Sequence, residues 1–277
     1  MGKKKSVSKS DLEKDLCEIQ ETIKSPINFS LSAIKYKNAK QKTLAKTIKE
    51  KDITFITGPA GTGKSYISIY SALELLRKGD GIQKIIFIYP TEEDDGEALG
   101  FMPGDESEKL MPWARADLYT MEKIFEACGK KGKDVVQGLL GQGIIEIHPT
   151  LWLRGLTIDN AVVIISECQN LGKDNLLKAI TRIGESTKII INGDQYQISA
   201  KGIKRGKRVS GLQYAIEHLS ELDEIGVVEF SIEDIIRNPL ISKILAHWDP
   251  EVYGELDKER DNINNKERNN NEEPKEI

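Results

Sequence analysis

The eight residues GPAGTGKS, Gly58 to Ser65, constrain this chain more than any other stretch. They match the spacing G-x-x-x-x-G-K-[ST]. Before them runs an apolar segment, ITFIT (53–57), and after them a helical pattern, SYISIYSALELLRK (65–78). A strand, a glycine loop and a helix in that order turn backbone N–H groups and the positive end of a helix toward a phosphate. Gly58, Gly61 and Gly63 let the backbone wrap, with Pro59, Ala60 and Thr62 filling the loop between them. Lys64 is placed to reach β- and γ-phosphates, and Ser65 to bind Mg²⁺. A glycine turn followed by a chance Lys-Ser is the alternative; it leaves the flanking strand and helix without a reason.

The rest of the chain repeats the same alternation. Short β-type runs occur at 53–57, 84–89, 144–148, 162–166, 188–191 and 227–230. Helical patterns fall near 64–78, 106–127, 173–183, 210–220 and 232–247, with a Lys-rich helix over 36–50. The last pattern opens on Ser231-Ile-Glu-Asp234, a capping box, and restarts at Asn238-Pro239. Near-continuous Ile/Val runs suit strands buried on both faces, and their alternation with helices predicts a mainly parallel sheet. The expectation is one three-layer α/β domain of the P-loop NTPase type over 36–248. Residues 1–35 read as a basic appendage carrying one helix, 11–23. Residues 249–277 hold almost nothing apolar and read as a disordered polar tail.

Composition excludes more than it selects. Forty basic and forty-four acidic residues leave a net charge of −4, so nucleic-acid binding has to be argued from distribution. Cys17, Cys128 and Cys168 are odd in number and far apart, which predicts free thiols in a reducing compartment. The three histidines are scattered, against a structural transition-metal site. The apolar runs are too short to span a membrane, and no secretory signal is visible. MGKKKS fits a myristoylation pattern, but that pattern is permissive and a soluble basic arm is the favoured reading. A cytoplasmic protein is expected.

Two further segments point to phosphate chemistry. The run VVIIS delivers Glu167 at its end, where ligands bind in parallel sheets. A carboxylate there can orient an attacking water, a role that a hydrolase needs and a small-molecule kinase does not. KIIINGDQYQI then ends on Gly193-Asp194-Gln195-Tyr196-Gln197, a G-D-x-x-Q suited to sensing a γ-phosphate through Asp194 and Gln197. A plain Gly-Asp turn is the bland reading of the same residues.

GPAGTGKS, GEALGFMPGDESEKLMPWARADLY, IEIHPTLWLRGLTIDNAVVIISECQN, KIIINGDQYQI, SGLQYAIEHL and FSIEDIIRNPLISKIL follow one another as in the PhoH-like ATPases, which this chain resembles over 36–248. The most specific pieces are LGFMPGD (99–105) and the R-N-P-L run (237–240). The resemblance implies a single RecA-like domain, similar to the first motor domain of superfamily-one helicases. It further implies ATP hydrolysis linked to RNA or DNA, with helicase-like remodelling as an open extension. By position, Gln41 corresponds to an adenine-reading glutamine; an ordinary surface Gln is the alternative. Arg154 and Arg237 match family arginines able to neutralise a transferring phosphoryl group, although Arg237 can instead cap a helix end.

Most members of the family that it resembles read Asp-Glu-Ala-Gln where this chain has Ser166-Glu167-Cys168-Gln169. The missing Asp ordinarily helps to hold Mg²⁺, so Ser166 is a doubtful metal residue. Two consequences stand open: an active but Mg²⁺-demanding ATPase, or a nucleotide-gated switch with little hydrolysis. KGIKRGKR (201–208) packs Lys201, Lys204, Arg205, Lys207 and Arg208 into eight residues. It is expected to grip a single-stranded RNA or DNA backbone with little sequence preference, a solvated loop being the alternative. Trp113 and Trp152 are read as packing residues in preference to base-stacking ones. One RecA-like domain lacks a second face, so a homo-oligomer, for instance a ring, is expected to supply an arginine in trans. The short leading segment predicts no nuclease domain.

Overall fold

The computed structural model describes residues 29–90, 106–153, 155–194 and 210–248. A helix α1 (Ala39–Glu50) precedes the strand β1 (Ile53–Thr57), and α2 (Lys64–Lys78) follows the glycine loop. After them come β2 (Lys84–Tyr89), α3 (Glu106–Ala127), α4 (Gly132–Gly141), β3 (Ile145–Pro149) and β4 (Ala161–Ile165). The order closes with α5 (Lys173–Ile180), β5 (Lys188–Asn192), α6 (Gly211–Leu219), β6 (Ile225–Glu229) and α7 (Pro239–Trp248). All six strands pair in parallel, in the spatial order β3-β2-β4-β5-β1-β6.

The Ile/Val runs explain the layering. Alternate residues of each strand face opposite sides, so a strand apolar at every position must be covered twice. Phe87, Val162, Ile164 and Ile190 face a core built with Leu44 of α1, Ile67 of α2, Phe125 of α3 and Leu139 of α4. Ile86, Ile88, Val163, Ile165 and Ile191 face a second core closed by Leu176 of α5 and Leu212 of α6. This is the expected three-layer α/β architecture of RecA-like type. Among the described residues no helix is long and apolar enough to cross a membrane.

The core begins earlier than residue 36. Phe29 is buried and meets Phe125 edge to face at 5.3 Å, with Leu31 and Ile34 packed beside it. The carbonyl of Ser32 accepts a hydrogen bond from Tyr70 Oη at 3.0 Å. Apolar residues among the lysines of a polar segment account for this extension. The helix α4 was not foreseen, because glycines at 132, 138 and 141 mask its apolar stripe of Val136 and Leu139. The capping box is real, with Asp234 Oδ2 accepting from Ser231 N at 2.9 Å. It caps a single 3₁₀ turn (Ile232–Asp234) before α7 restarts at Pro239, where Asn238 Oδ1 accepts from Leu240 N at 2.9 Å. The leading residues 1–28 and the expected tail 249–277 lie outside the described residues.

Phe125 joins the early segment to the helical layer, so Phe125→Ala is expected to destabilise the fold by about 3–5 kcal/mol. Chemical denaturation followed by circular dichroism measures this directly.

Candidate nucleotide site

Parallel strands end together, and here the ends of β1, β2, β4 and β5 border one cavity of about 760 Å³. That size suits a small ligand. Lys64, Ser65, Ser166, Glu167, Asp194 and Arg237 all line it. The sequence separates these residues by as much as 173 positions; the topology gathers them at one edge.

The loop itself depends on glycine at two points. Gly58 has φ +128°, and a Cβ there would lie 2.3 Å from the carbonyl oxygen of Phe230. Gly63 has φ +89°, and a Cβ there would come within 2.7 Å of Gln41 Nε2. Neither position accepts another residue without strain. Ser65 is exposed on the cavity wall at the start of α2. Lys64 Nζ donates to the carbonyls of Gly58 and Pro59, the latter at 2.7 Å. Burial pulls the Lys64 ammonium below the ordinary lysine range, while Asp194 and Glu167 oppose that shift. An anion arriving at the loop would therefore meet a desolvated cation held by loop carbonyls.

The fold behind the loop is triangulated by hydrogen bonds. Gln41 is only 3% exposed, so the surface reading of this residue is wrong. Its Nε2 donates to Thr62 O at 2.9 Å, and its Oε1 accepts from Lys37 N at 2.8 Å. Lys40 pairs with Asp234 at 3.2 Å, and Asn38 Nδ2 donates to Asp234 O. Ile236 N in turn donates to Gly61 O at 3.0 Å, which brings Arg237 over the loop. Arg237 makes no hydrogen bond or ion pair with a described residue. The turn that precedes Pro239 is closed by Ile235, whose N–H donates to Ile232 O, and Asn238 caps the start of α7, so Arg237 caps neither end.

A second cavity of about 420 Å³ lies on the far side of the loop. It shares Gly63, Tyr66 and Ile236 with the first and is walled by Gln41 and Ile34. The two cavities therefore adjoin across Gly63.

Glu167 stands two residues beyond the end of β4 with φ +56°, an uncommon backbone state for a residue with a side chain. Strain of this kind clusters at functional positions. Gln169 braces it: Nε2 donates to Glu167 Oε2 at 2.7 Å, and Oε1 accepts from Asp194 N at 3.1 Å. One buried amide therefore ties the end of β4 to the end of β5, which pairs with β1. The spacing of Ser166-Glu167-Cys168-Gln169 alone does not disclose this role for Gln169, which depends on β4 and β5 lying side by side.

Ser166 is buried and donates through Oγ to Asp117 Oδ2 at 2.9 Å. Tyr89 Oη donates to the same oxygen at 2.7 Å. Burial raises the Asp117 carboxyl above its usual range, opposed by these two hydrogen bonds, with Glu167 adding to the rise. Burial likewise pushes the Tyr89 phenol upward. Asp117 carried no expectation, yet the sequence held a signal for it. Leu110, Ala114, Asp117, Met121 and Ile124 follow helical spacing, so an acid sits on an otherwise apolar stripe.

Other expected residues divide. Trp113 is 48% exposed at the cavity and is no core residue. Trp152 stacks on His148 at 3.8 Å, a packing role as expected. Arg154, Gln197, Lys201, Lys204, Arg205, Lys207 and Arg208 lie outside the described residues, as does LGFMPGD (99–105). Asp194 and Ser210, which bracket the basic stretch, both sit near the site. Gly193 abuts Leu212, and Gly211 N donates to Leu171 O at 3.0 Å.

A profile described as PhoH-like protein matches residues 33–249. The chain belongs to the PhoH-like family. It is 38% identical over 223 residues to a PhoH-like protein of Bacillus subtilis (strain 168), covering 80% of this chain and 66% of that protein. It is 36% identical over 217 residues to Protein PhoH of Escherichia coli (strain K12), covering 77% and 58%. The chain thus spans about three fifths of the length of the curated relatives it matches. Among solved structures, the Pif1 helicase from Candida albicans aligns with a TM-score of 0.34 at 12% identity, covering 72% of this chain and 41% of that one. The fold assignment rests on the strand order above. The glycine loop lies between β1 and α2 and lines the larger cavity, which makes that cavity the candidate nucleotide site.

Gly63→Ala forces a left-handed residue and displaces the Gln41 amide. It is expected to lower nucleotide affinity and to cost roughly 1–2 kcal/mol of stability. Titration with a fluorescent nucleotide, alongside a thermal melt, reads both effects.

Proposed function

We propose that this chain binds MgATP and hydrolyses it to ADP and phosphate, with turnover coupled to single-stranded RNA or DNA. The observation that carries the reading is the convergence of Lys64, Glu167 and Asp194 on one cavity, with Gln169 fixing the last two relative to each other.

The adenine belongs in the smaller cavity. Gln41 spends one N–H on Thr62 O and one lone pair on Lys37 N. One N–H and one lone pair remain, the pair that adenine N6 and N7 require. The triphosphate then crosses Gly63 into the larger cavity and lies along the backbone N–H groups of the loop. Lys64 exchanges its loop carbonyls for phosphate oxygens. Arg237, already beside Gly61 in its own chain, adds positive charge at the γ-phosphate.

Mg²⁺ fits this donor set as a companion of the nucleotide. The exposed Ser65 hydroxyl faces the cavity. Among the described residues no cluster of three or more His, Cys, Asp or Glu is able to hold a metal alone. When bound, the ion neutralises phosphate charge and keeps several waters. Glu167 orients one water and accepts its proton as the oxygen attacks the γ-phosphorus. The bond to the β–γ bridging oxygen breaks and ADP leaves. Gln197 and Asp194 sense whether the γ-phosphate is present, and Arg154 or a neighbouring subunit's arginine adds charge as it transfers.

The basic residues 201–208 are the proposed backbone contact for nucleic acid. Their segment starts after Asp194 and returns at Ser210, so a strand bound there would bias the γ-phosphate end of the site. A homo-oligomer, cytoplasmic location and helicase-like remodelling belong to the same reading.

Phosphate release with and without single-stranded RNA and DNA tests it. Turnover is expected to rise with nucleic acid and to fall as salt rises. Lys64→Ala is expected to abolish it. Glu167→Gln is expected to keep ATP binding while slowing hydrolysis at least 100-fold, within the range for a general base. ATP binding without turnover under any condition would mark a nucleotide-gated switch instead. Phosphate transfer to a small acceptor would mark a kinase.

A further inference from the structure

Asp117 has no part in the chemistry above, yet it lines the same cavity as Lys64 and Ser65. It is 7% exposed and sits on the apolar stripe of α3, where a charged residue is costly without a purpose. The two donors that hold it come from the ends of adjacent strands. Tyr89 closes β2, and Ser166 follows β4, whose Ile165 pairs with Ile88. Both donate to Oδ2. Oδ1 receives no hydrogen bond from a described residue, leaving its lone pairs for the cavity.

The resemblance to the PhoH-like ATPases implies an Mg²⁺-serving aspartate at the position of Ser166. Here its hydroxyl reaches a carboxylate brought in from a different element, 49 residues upstream. We propose that Asp117, clamped by Tyr89 and Ser166, supplies the carboxylate on the metal side of the phosphates that Ser166 lacks. Ser166 is then a positioning residue. It fixes Asp117 with one hydrogen bond, and Tyr89 fixes it with another. A negative charge is restored to the site through a neighbouring helix, so the substitution does not by itself leave the site short of charge for Mg²⁺. The inference rests on the MgATP reading of this cavity.

The test is Mn²⁺ affinity, read by electron paramagnetic resonance on the full chain with the non-hydrolysable analogue AMP-PNP bound. Asp117→Asn keeps the shape and removes the charge. It is expected to weaken Mn²⁺ about tenfold or more, the range seen when groups supporting a metal site are removed. Adding Ser166→Asp to Asp117→Asn returns the charge to the other side of the same contact and is expected to restore most of the affinity. A knot that only ties α3 to the sheet would not be rescued in this way. Unchanged Mn²⁺ affinity in Asp117→Asn would overturn the proposal, as would a folded double variant without recovery. Should Asp117→Asn alone fail to fold, wild-type-like Mn²⁺ affinity in the double variant supports the proposal and its loss overturns it. Failure of the wild-type chain to bind AMP-PNP at all would overturn the nucleotide reading beneath it, a result distinct from the others.

Discussion

A parallel sheet sends every strand out of the same edge, and that constraint organises the chemistry of this molecule. Six short apolar runs, each too hydrophobic to leave a face uncovered, force helices onto both sides. The loops that lead from strand to helix then have one place to go. The glycine loop leaves β1, Glu167 leaves β4, Asp194 leaves β5 and Tyr89 ends β2. The strand β5 lies between β1 and β4, so the phosphate loop and the acidic turn face each other across one strand width. That spacing opens the cavity.

Hydrogen bonds between neighbouring strand ends set the finer geometry. Gln169 spans two of them, and Gln41 braces the loop from behind through Thr62. Each amide sits where it is desolvated, so losing a partner would cost on the order of 1–3 kcal/mol. The site is therefore stiffened by uncharged groups. Its charged groups Lys64, Arg237, Asp117, Glu167 and Asp194 line the larger cavity. This division explains why the strained backbone at Glu167 persists: its side chain and its neighbours are tied on both sides.

The architecture was readable because it depends on period and punctuation. All six strands fall within two residues of their apolar runs, and the helix after the glycine loop runs over 64–78 as its pattern predicts. Residues defined by tertiary contact were harder. Gln41 sits in a Lys-rich helix whose exposed lysines disguise a buried stripe of Gln41, Leu44, Ala45 and Ile48. Asp117 looked like one acid among many on a long helix, although its place on the apolar stripe of α3 distinguished it. Ser166, taken alone, suggested a site short of charge. A side-chain contact spanning 49 residues altered that reading, and no local spacing rule encodes such a contact.

The central claim is that one nucleotide spans both cavities, with its phosphates on the glycine loop and its metal on the Ser65 and Asp117 side. A crystal structure of the chain with AMP-PNP and Mn²⁺, using the anomalous signal of manganese, tests it most directly. The account predicts phosphates over Gly58 to Ser65, the base against Gln41, and the manganese peak between Ser65 and Asp117. Nucleotide bound away from the loop, or manganese remote from Asp117, would contradict it.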